Sequence, residues 1–411
     1  MKHLFFTILL LCTCSVLHAQ VSEPVSSDTL FQDSVCVEEQ LSFDQTLAWI
    51  DTTACTSDTV IIDLPDSVYK VRLQELPFVV EVPYNQVVRG YITRYLKSAR
   101  RLAMLCRMSE YYFPMFEDKF NQYDLPYELA YMAVIESALN PQARSRMGAV
   151  GLWQFMPSTG KIYGLEINSL VDERMDPVRS TDAACRMLRS LYGTFQDWNL
   201  VIAAYNCGPG NVKKAIARAG GKRDFWSIYP YLPRETRGYL PIFIAATYAM
   251  NYADAHGICP AYTDCTMVTD TIITQDRIHL QQVADMMQID LQELRRLNPQ
   301  YARDILPGGS KAYALCLPEQ RAVEFIQMRD TILNHRADEL VNNRRAEIDL
   351  LQKTSLNGGY SVNGITYYKI KSGDTLGGIA KKFHCTVKQL QRWNHLKDTT
   401  IRAGKTLRIG G

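Results

Sequence analysis

The sequence predicts a multidomain protein: an all-α domain of ordinary size, followed by small units of the type strand–helix–helix–strand. Three observations carry this. The chain has 411 residues, more than a single ordinary core accommodates. Residues 85–256 are dense in apolar positions at helical spacing and show no alternating strand pattern. Beyond them, VADMMQIDLQELRRLN (283–298) and IAKKFHCTVKQLQRWN (379–394) repeat one pattern, with apolar-Ala at the start and Asn at the end. Each copy has a short apolar stretch before and after it, so the unit is βααβ, used twice.

Taken in order, MKHLFFTILLLCTCSVLHAQ has a positive residue, Lys2, an apolar run to Leu17 and a small residue, Ala19. It reads as a secretory signal over 1–19; an uncleaved anchor is the other reading, so membrane association stays open. Residues 20–81 carry twelve Asp/Glu against Lys70 and Arg72 alone, and 20–84 is expected to be an acidic, mostly disordered spacer. The all-α domain spans 85–256. Its helices are expected over the stretch 85–120, after Pro126 in YELAYMAVIES, and at 179–193, 197–205, 210–219 and 235–252, with Asn140-Pro141 stopping the second. The first βααβ copy is placed at 265–320, a charged helical linker at 321–362, and the second copy at 365–411.

Composition narrows the classes. The totals of 45 basic and 43 acidic residues nearly cancel. Residues 365–411 hold ten Lys/Arg and two Asp, but an export signal argues against nucleic acid as the partner, and the lysines read as a solvated face. The nine cysteines outside the signal are scattered without a CxxC pair, so they form no metal pattern; Cys259 with Cys265 is the nearest candidate disulfide.

Glu136 is the residue that packing does not explain. It closes the apolar run YELAYMAVIES, where burial can raise a carboxyl's pKa and make it a general acid/base; a helix-end ion pair with Arg144 or Arg146 is the plainer alternative. The residues after it favour chemistry. Gly148 and Gly151 let backbone approach a ligand. Gln154 can bond donors and acceptors of a sugar, and Met156 offers an apolar face. Trp153 and Phe155 serve either a pyranose ring or the core. Some fifty residues on, AAYNCGPGNV supplies Tyr205, a hydroxyl near the acid, and Asn206.

These segments, ESALNPQARSRMGAVGLWQFMPSTG, AAYNCGPGNV and LPRETRGYLP, together resemble the catalytic domain of lytic transglycosylases. The nearest type is the membrane-bound murein transglycosylase D type, with a goose-lysozyme-like fold, over about 85–256. The resemblance implies Glu136 as the single catalytic acid/base. It implies Ser137, Gln154, Met156, Tyr205, Asn206 and Tyr239 in the substrate groove, with neither metal nor cofactor. The segment YYKIKSGDTLGGIAKKFHCTVKQLQRWNHLKDTTIRAGKTLRI resembles a LysM domain, which implies binding of N-acetylglucosamine-containing glycan. Gly373, Asp374, Thr375, Leu376 and Asn394 match its motif. The first copy has Asp276-Arg277-Ile278-His279 in place of the SGDT loop and resembles a degenerate LysM, either a weak sugar site or a packing platform.

The expected function is therefore cleavage of the β-1,4 bond between N-acetylmuramic acid and N-acetylglucosamine in peptidoglycan glycan strands, leaving 1,6-anhydromuramic ends, by an exported protein of the periplasm or cell envelope. Two other readings stand beside it. A muramidase on the same fold needs a second carboxylate, which VDERMDP offers as Asp172, Glu173 or Asp176, unless these serve in caps and ion pairs with Arg174 or Arg179. A wall-binding protein with an idle site is the third; an intact Glu136 argues against it.

Overall fold

The computed structural model describes residues 64–259, 268–353, 359–362, 365–371, 373–383, 385–396 and 398–409. The signal and the first part of the acidic spacer lie outside the described residues, as does Cys265 of the candidate disulfide.

The spacer expected over 20–84 does not extend to 84. Helix α1 (Asp66–Glu75) buries Tyr69 and Leu73 in the core of the all-α domain. Arg72 donates to Tyr248 Oη at 2.9 Å and receives Tyr252 Oη on its carbonyl at 2.7 Å. Further along, the Val80 amide donates to the buried Glu128 carboxylate at 2.6 Å. The acidic composition hid this segment because its apolar residues form no stripe: Val71, two residues from buried Tyr69 and Leu73, is 49% exposed.

The expected stretch 85–120 divides at Ser98 into α2 (Gln86–Lys97), capped by Asn85, and α3 (Ala99–Gln122). A 3-10 turn leads into α4 (Tyr131–Ser137), whose residues 131–135 are all buried. This helix ends three residues before Asn140-Pro141. Ala138 and Leu139 both take left-handed backbone (φ 52° and 60°), a conformation that costs a non-glycine residue about 1 kcal/mol or more. The stop is thus built where the chain must turn directly after Glu136. Then come α5 (Pro157–Ile162), α6 (Pro177–Phe195), α7 (Trp198–Cys207), α8 (Pro209–Arg218), α9 (Phe225–Ile228) and α10 (Arg234–Asn251). The expected helices at 179–193, 197–205, 210–219 and 235–252 correspond to α6, α7, α8 and α10. Asp176 and Asp197 accept from the first free amides of α6 and α7. Helix α10 packs across α2, α4 and α7, which brings it beside Glu136.

The first βααβ copy pairs β1 (Thr269–Thr274) antiparallel with β4 (Tyr313–Pro318), enclosing β2 (Ile278–His279), α11 (Leu280–Met287), α12 (Leu291–Leu297) and β3 (Ile305–Leu306). The linker expected over 321–362 is largely part of this unit. Helix α13 (Ala322–Asn334) contributes Phe325 and Ile332 to its core. After the short α14 (Ala337–Leu340), α15 (Arg345–Lys353) contributes Ile348 and Leu351. Gln282 Nε2 fastens α11 to the end of α13 through the carbonyls of Leu333 and His335, at 3.0 and 2.9 Å.

The second copy is a three-stranded antiparallel sheet, β5 (Gly359–Val362), β6 (Ile365–Lys369) and β7 (Thr406–Ile409), with α16 (Leu376–Lys382) and α17 (Val387–Asn394). Strand β5 precedes the boundary expected at 365. The repeat shows what its terminal asparagine is for. Asn394 receives the Arg408 amide at 2.6 Å and donates to the Arg408 carbonyl at 2.7 Å. Asn298 does the same with Cys316, at 2.8 and 2.7 Å. Each asparagine is a two-way clamp joining the last helix to the last strand. Asn394 was expected to contact glycan; its amide is engaged inside the fold instead. Leu376, also expected at the glycan, is buried in the module's core.

Candidate active site

Glu136 lies at the end of α4, half-buried, with Oε1 accepting a 2.5 Å hydrogen bond from the Tyr239 hydroxyl of α10. Burial, then the nearby Glu136 carboxyl, holds the Tyr239 phenol well above its ordinary range, so Tyr239 stays a donor. Burial, and next Glu136, do the same to Tyr205. The two tyrosines and the glutamate therefore form one electrostatic cluster. Removing the Tyr239 hydroxyl takes this donor away from the Glu136 oxygen, a loss of about 1–3 kcal/mol. Tyr239→Phe is expected to lower kcat by roughly 10- to 100-fold with little change in KM. Steady-state kinetics on a soluble glycan fragment checks this; an unchanged kcat would remove Tyr239 from the machinery.

Beyond Glu136 the chain makes the loop 148–156, pinned by its own carbonyls. Ser137 Oγ lies 3.0 Å from the Leu152 carbonyl and from the Ala133 carbonyl. Tyr205 Oη donates to the Trp153 carbonyl at 2.8 Å. Arg174, wholly buried, donates through Nη1 to the Gly148 and Phe155 carbonyls at 2.9 and 3.0 Å. Gln154, at φ 45°, donates its Nε2 to the Gly151 and Ala143 carbonyls. Trp153 is not a sugar platform. It is fully buried against Phe116 and Phe120, with Nε1 donating to Thr181 at 2.9 Å. Phe155 is core as well.

The expected groove residues thus separate by what they can touch. Met156 is 39% exposed, and Gln154 is half-buried, with its Nε2 already engaged by the Gly151 and Ala143 carbonyls. Asn206 is half-buried and accepts from Thr236 at 2.8 Å, three residues before Tyr239. Ser137 is corrected: it is completely buried, so it positions Glu136 and the loop and has no face for substrate. Tyr205 is likewise nearly buried, with its hydroxyl held by Trp153. Sequence reading missed Arg174 as the residue that holds the loop, because its partners at 148 and 155 are backbone atoms far along the chain. The one available signal was the D-x-R spacing of Asp172 and Arg174.

The three carboxylates of VDERMDP are engaged elsewhere. Asp172 is buried in a bidentate pair with Arg174, at 2.8 Å to both Nε and Nη2. Burial pushes its carboxyl up, but the Arg174 guanidinium outweighs that and holds it low. Glu173 takes the Glu166 amide at 2.6 Å and the Lys311 ammonium at 2.9 Å. Asp176 starts α6 by accepting from the Val178 and Arg179 amides; burial pushes it up to about 6 against those two donors.

The short hairpin closed by the Ile167–Asp172 bridge also joins the first βααβ copy. Leu170 and Val171 sit in that copy's core. The Asp172 amide donates to the Gln300 carbonyl at 2.9 Å, and the Ala302 amide to the Leu170 carbonyl at 2.7 Å. Lys311 bridges Glu166 and Glu173. A continuous set of contacts runs from the first copy through Asp172 and Arg174 to the loop beside Glu136.

Among the described residues no group of His, Cys, Asp and Glu could hold a metal ion. No helix among them is long and apolar enough to cross a membrane.

Residues 114–227 match the family model of the transglycosylase SLT domain, and 368–410 that of the LysM domain. Residues 268–334 match the LysM-like domain of lytic transglycosylase MltD, a span that includes α13. The soluble lytic murein transglycosylase of Escherichia coli K12 is 32% identical over 146 residues, 32% of this chain and 22% of the relative. The crystal structure of the 70 kDa soluble lytic transglycosylase from Escherichia coli aligns with 56% of this chain and 42% of that one, at 20% identity and a TM-score of 0.29. The matches to the transglycosylase SLT and LysM models give the class, a transglycosylase domain with LysM modules. The membrane-bound lytic murein transglycosylase D of Escherichia coli K12 is 32% identical over 333 residues, covering 80% of this chain and 70% of the relative, and the chain belongs to that family of lytic murein transglycosylases.

Proposed function

We propose that this protein is a peptidoglycan lytic transglycosylase in which Glu136 alone performs both proton transfers. The carrying observation is a half-buried carboxyl group with one oxygen held by Tyr239, while Asp172, Glu173 and Asp176 are each engaged in caps or ion pairs. Glu136 protonates the glycosidic oxygen as the bond from the N-acetylmuramic acid anomeric carbon breaks. The sugar's N-acetyl group stabilises the positive charge there. Glu136 then takes the proton of that sugar's C6 hydroxyl, whose oxygen closes on the anomeric carbon to form the 1,6-anhydro ring. No water enters the products. An intramolecular nucleophile has a high effective concentration, so the reaction does without the second carboxylate of a hydrolase.

Mass spectrometry of fragments from purified peptidoglycan tests this. Anhydromuramic ends, one water lighter than hydrolysis products, are expected. Reducing ends would instead support the muramidase reading and direct attention to Asp172, Glu173 and Asp176.

The second βααβ unit serves as the wall-binding hand. Gly373 and Thr375 are exposed at the start of α16, and Asp374 holds their loop by accepting from the Lys371 amide and the Tyr368 hydroxyl, both at 2.7 Å. The exposed part of this loop suits N-acetylglucosamine-containing glycan. Tethering a weak binder to a catalytic groove raises local substrate concentration. Removing residues 359–411 is expected to slow degradation of insoluble wall by roughly tenfold or more, with short soluble fragments cleaved as before. Equal loss on both substrates would contradict the targeting role. The family relationship supports a location at the cell envelope, and the 1–19 signal supports export to the periplasm.

A further inference from the structure

The hairpin closed by the Ile167–Asp172 bridge carries contacts of two kinds. Its tip belongs to the first βααβ copy, where Leu170 and Val171 are core residues and Val171 bridges to Tyr301. Its outgoing strand belongs to the catalytic loop. The Arg174 guanidinium takes the Gly148 and Phe155 carbonyls, near the two ends of that loop. Gly151, between them, packs so closely on the Arg174 carbonyl oxygen that a β-carbon would lie 1.8 Å from it. Wherever Arg174 sits, the loop beside Glu136 sits with it.

One charged residue of the first copy reaches the base of this hairpin. Lys311 Nζ lies 2.5 Å from Glu166 Oε2 and 2.9 Å from Glu173 Oε1. It stands 5.1 Å from the centre of the Tyr313 ring, and the Tyr313 hydroxyl donates to Glu166 Oε1 at 3.2 Å. The other oxygen of Glu173 accepts the Glu166 amide at 2.6 Å. One carboxylate therefore closes the hairpin and meets the first copy, and it directly precedes Arg174. The Glu173 side chain is only 6% exposed, and its second cation, the more exposed Arg179, is farther off at 3.6 Å. A carboxylate buried to this degree needs a close cation or several donors. Without the lysine ammonium, turning the Glu173 carboxylate toward water becomes the favourable response. That releases the Glu166 amide and frees the backbone next to Arg174. A misplacement of about 1 Å, even one caused far from the chemistry, costs up to about a hundredfold in rate.

We propose that Lys311 is a positioning residue for catalysis: by holding Glu166 and Glu173 it fixes the hairpin whose Arg174 shapes the loop beside Glu136. The first βααβ copy is then a working part of the catalytic domain. The kinetic consequence rests on the transglycosylase reading, whereas the hold on the loop rests on the contacts alone.

The test uses the full-length protein with Lys311→Gln, with Lys311→Arg, and with Gln282→Ala as the control. Gln282 ties α11 to the end of α13 inside the same copy, so its loss weakens the copy without touching the hairpin. Two quantities are read well below the unfolding temperature of every variant. One is kcat/KM on a soluble glycan fragment. The other is hydrogen exchange in the loop, where the Gly151 and Phe155 amides are bonded to the Ala143 and Val150 carbonyls. Lys311→Gln is expected to lower kcat/KM by about tenfold and to speed loop exchange. Lys311→Arg, which keeps the charge, is expected to restore both. Gln282→Ala is expected to lower the melting temperature and leave both readouts in place. A Lys311→Gln protein that melts earlier but keeps its rate and its loop protection overturns the proposal. So does a rate lost without faster exchange, failure of arginine to rescue, or an equal effect from Gln282→Ala. Should the wild type release no fragments, the transglycosylase reading falls, and loop exchange still decides whether Lys311 holds the loop.

Discussion

Glu136→Gln is expected to reduce product formation by roughly a thousandfold or more, to the limit of detection by mass spectrometry, without loss of fold or of wall binding. General acid/base groups contribute about 10²–10⁴ in rate, and here one group serves both steps, so its removal affects bond cleavage and ring closure together. Glutamine keeps the shape and can still accept from the Tyr239 hydroxyl, so α4 and the loop beyond it have no reason to move. A variant that folds, sediments with insoluble peptidoglycan and releases no fragments isolates the proton-transfer role. Residual activity within tenfold of wild type would mean that another carboxylate supplies the proton, and Asp176, whose carboxyl is raised by burial, would be the first to replace.

Gly151→Ala is expected to be the most damaging single-carbon addition in the catalytic domain. A β-carbon there would lie 1.8 Å from the Arg174 carbonyl oxygen and 2.7 Å from its carbon. The obstacle is backbone, so no rotamer change relieves it. Gly151 is also at φ 89°, where a side chain adds strain of about 1 kcal/mol. Overpacking of this kind costs about 1–3 kcal/mol or more, and together the two terms shift unfolding down by roughly 5–10 °C. Activity is expected to fall further than stability, since the displaced strand carries the Gly148 and Phe155 carbonyls that Arg174 holds and the Trp153 carbonyl that Tyr205 holds. Gly148→Ala is the control. It shares the positive φ of 91° but meets nothing within 4 Å, so only the backbone term applies, about 1 kcal/mol. Paired thermal melts and rate measurements decide the matter; equal effects at the two positions would show that contact with Arg174 is unimportant.

What could be read from the sequence was what depends on neighbours along the chain. Helices α6, α7, α8 and α10 announced themselves through period, capping aspartates and flanking prolines. Glu136 stood out because a carboxylate interrupts an apolar run. The roles that stayed hidden depend on atoms distant in sequence. Ser137 matched a motif position, yet its hydroxyl lies between two carbonyls. Asn394 and Leu376 matched a binding motif whose residues also build the module, and only the parallel clamp at Asn298 separates the two purposes. The stretch 321–353 looked like a charged spacer because it buries few residues per turn, and those few, Phe325, Ile332, Ile348 and Leu351, complete a core begun fifty residues earlier.

The two repeats differ in whether they can be exchanged. The second has a core of its own, formed by residues from 368 to 409, so a cut before Gly359 yields a cassette that can be lost, duplicated or replaced by another wall binder. The first cannot be transplanted in this way. Its core is closed by Leu170 and Val171 from the catalytic domain, so a fragment ending near residue 256 would carry an apolar hairpin stripped of its cover. The smallest fragment of this enzyme worth producing therefore ends after α15, at about residue 353, and family members that keep the catalytic hairpin are expected to keep the first repeat even where its sugar-binding loop has been lost.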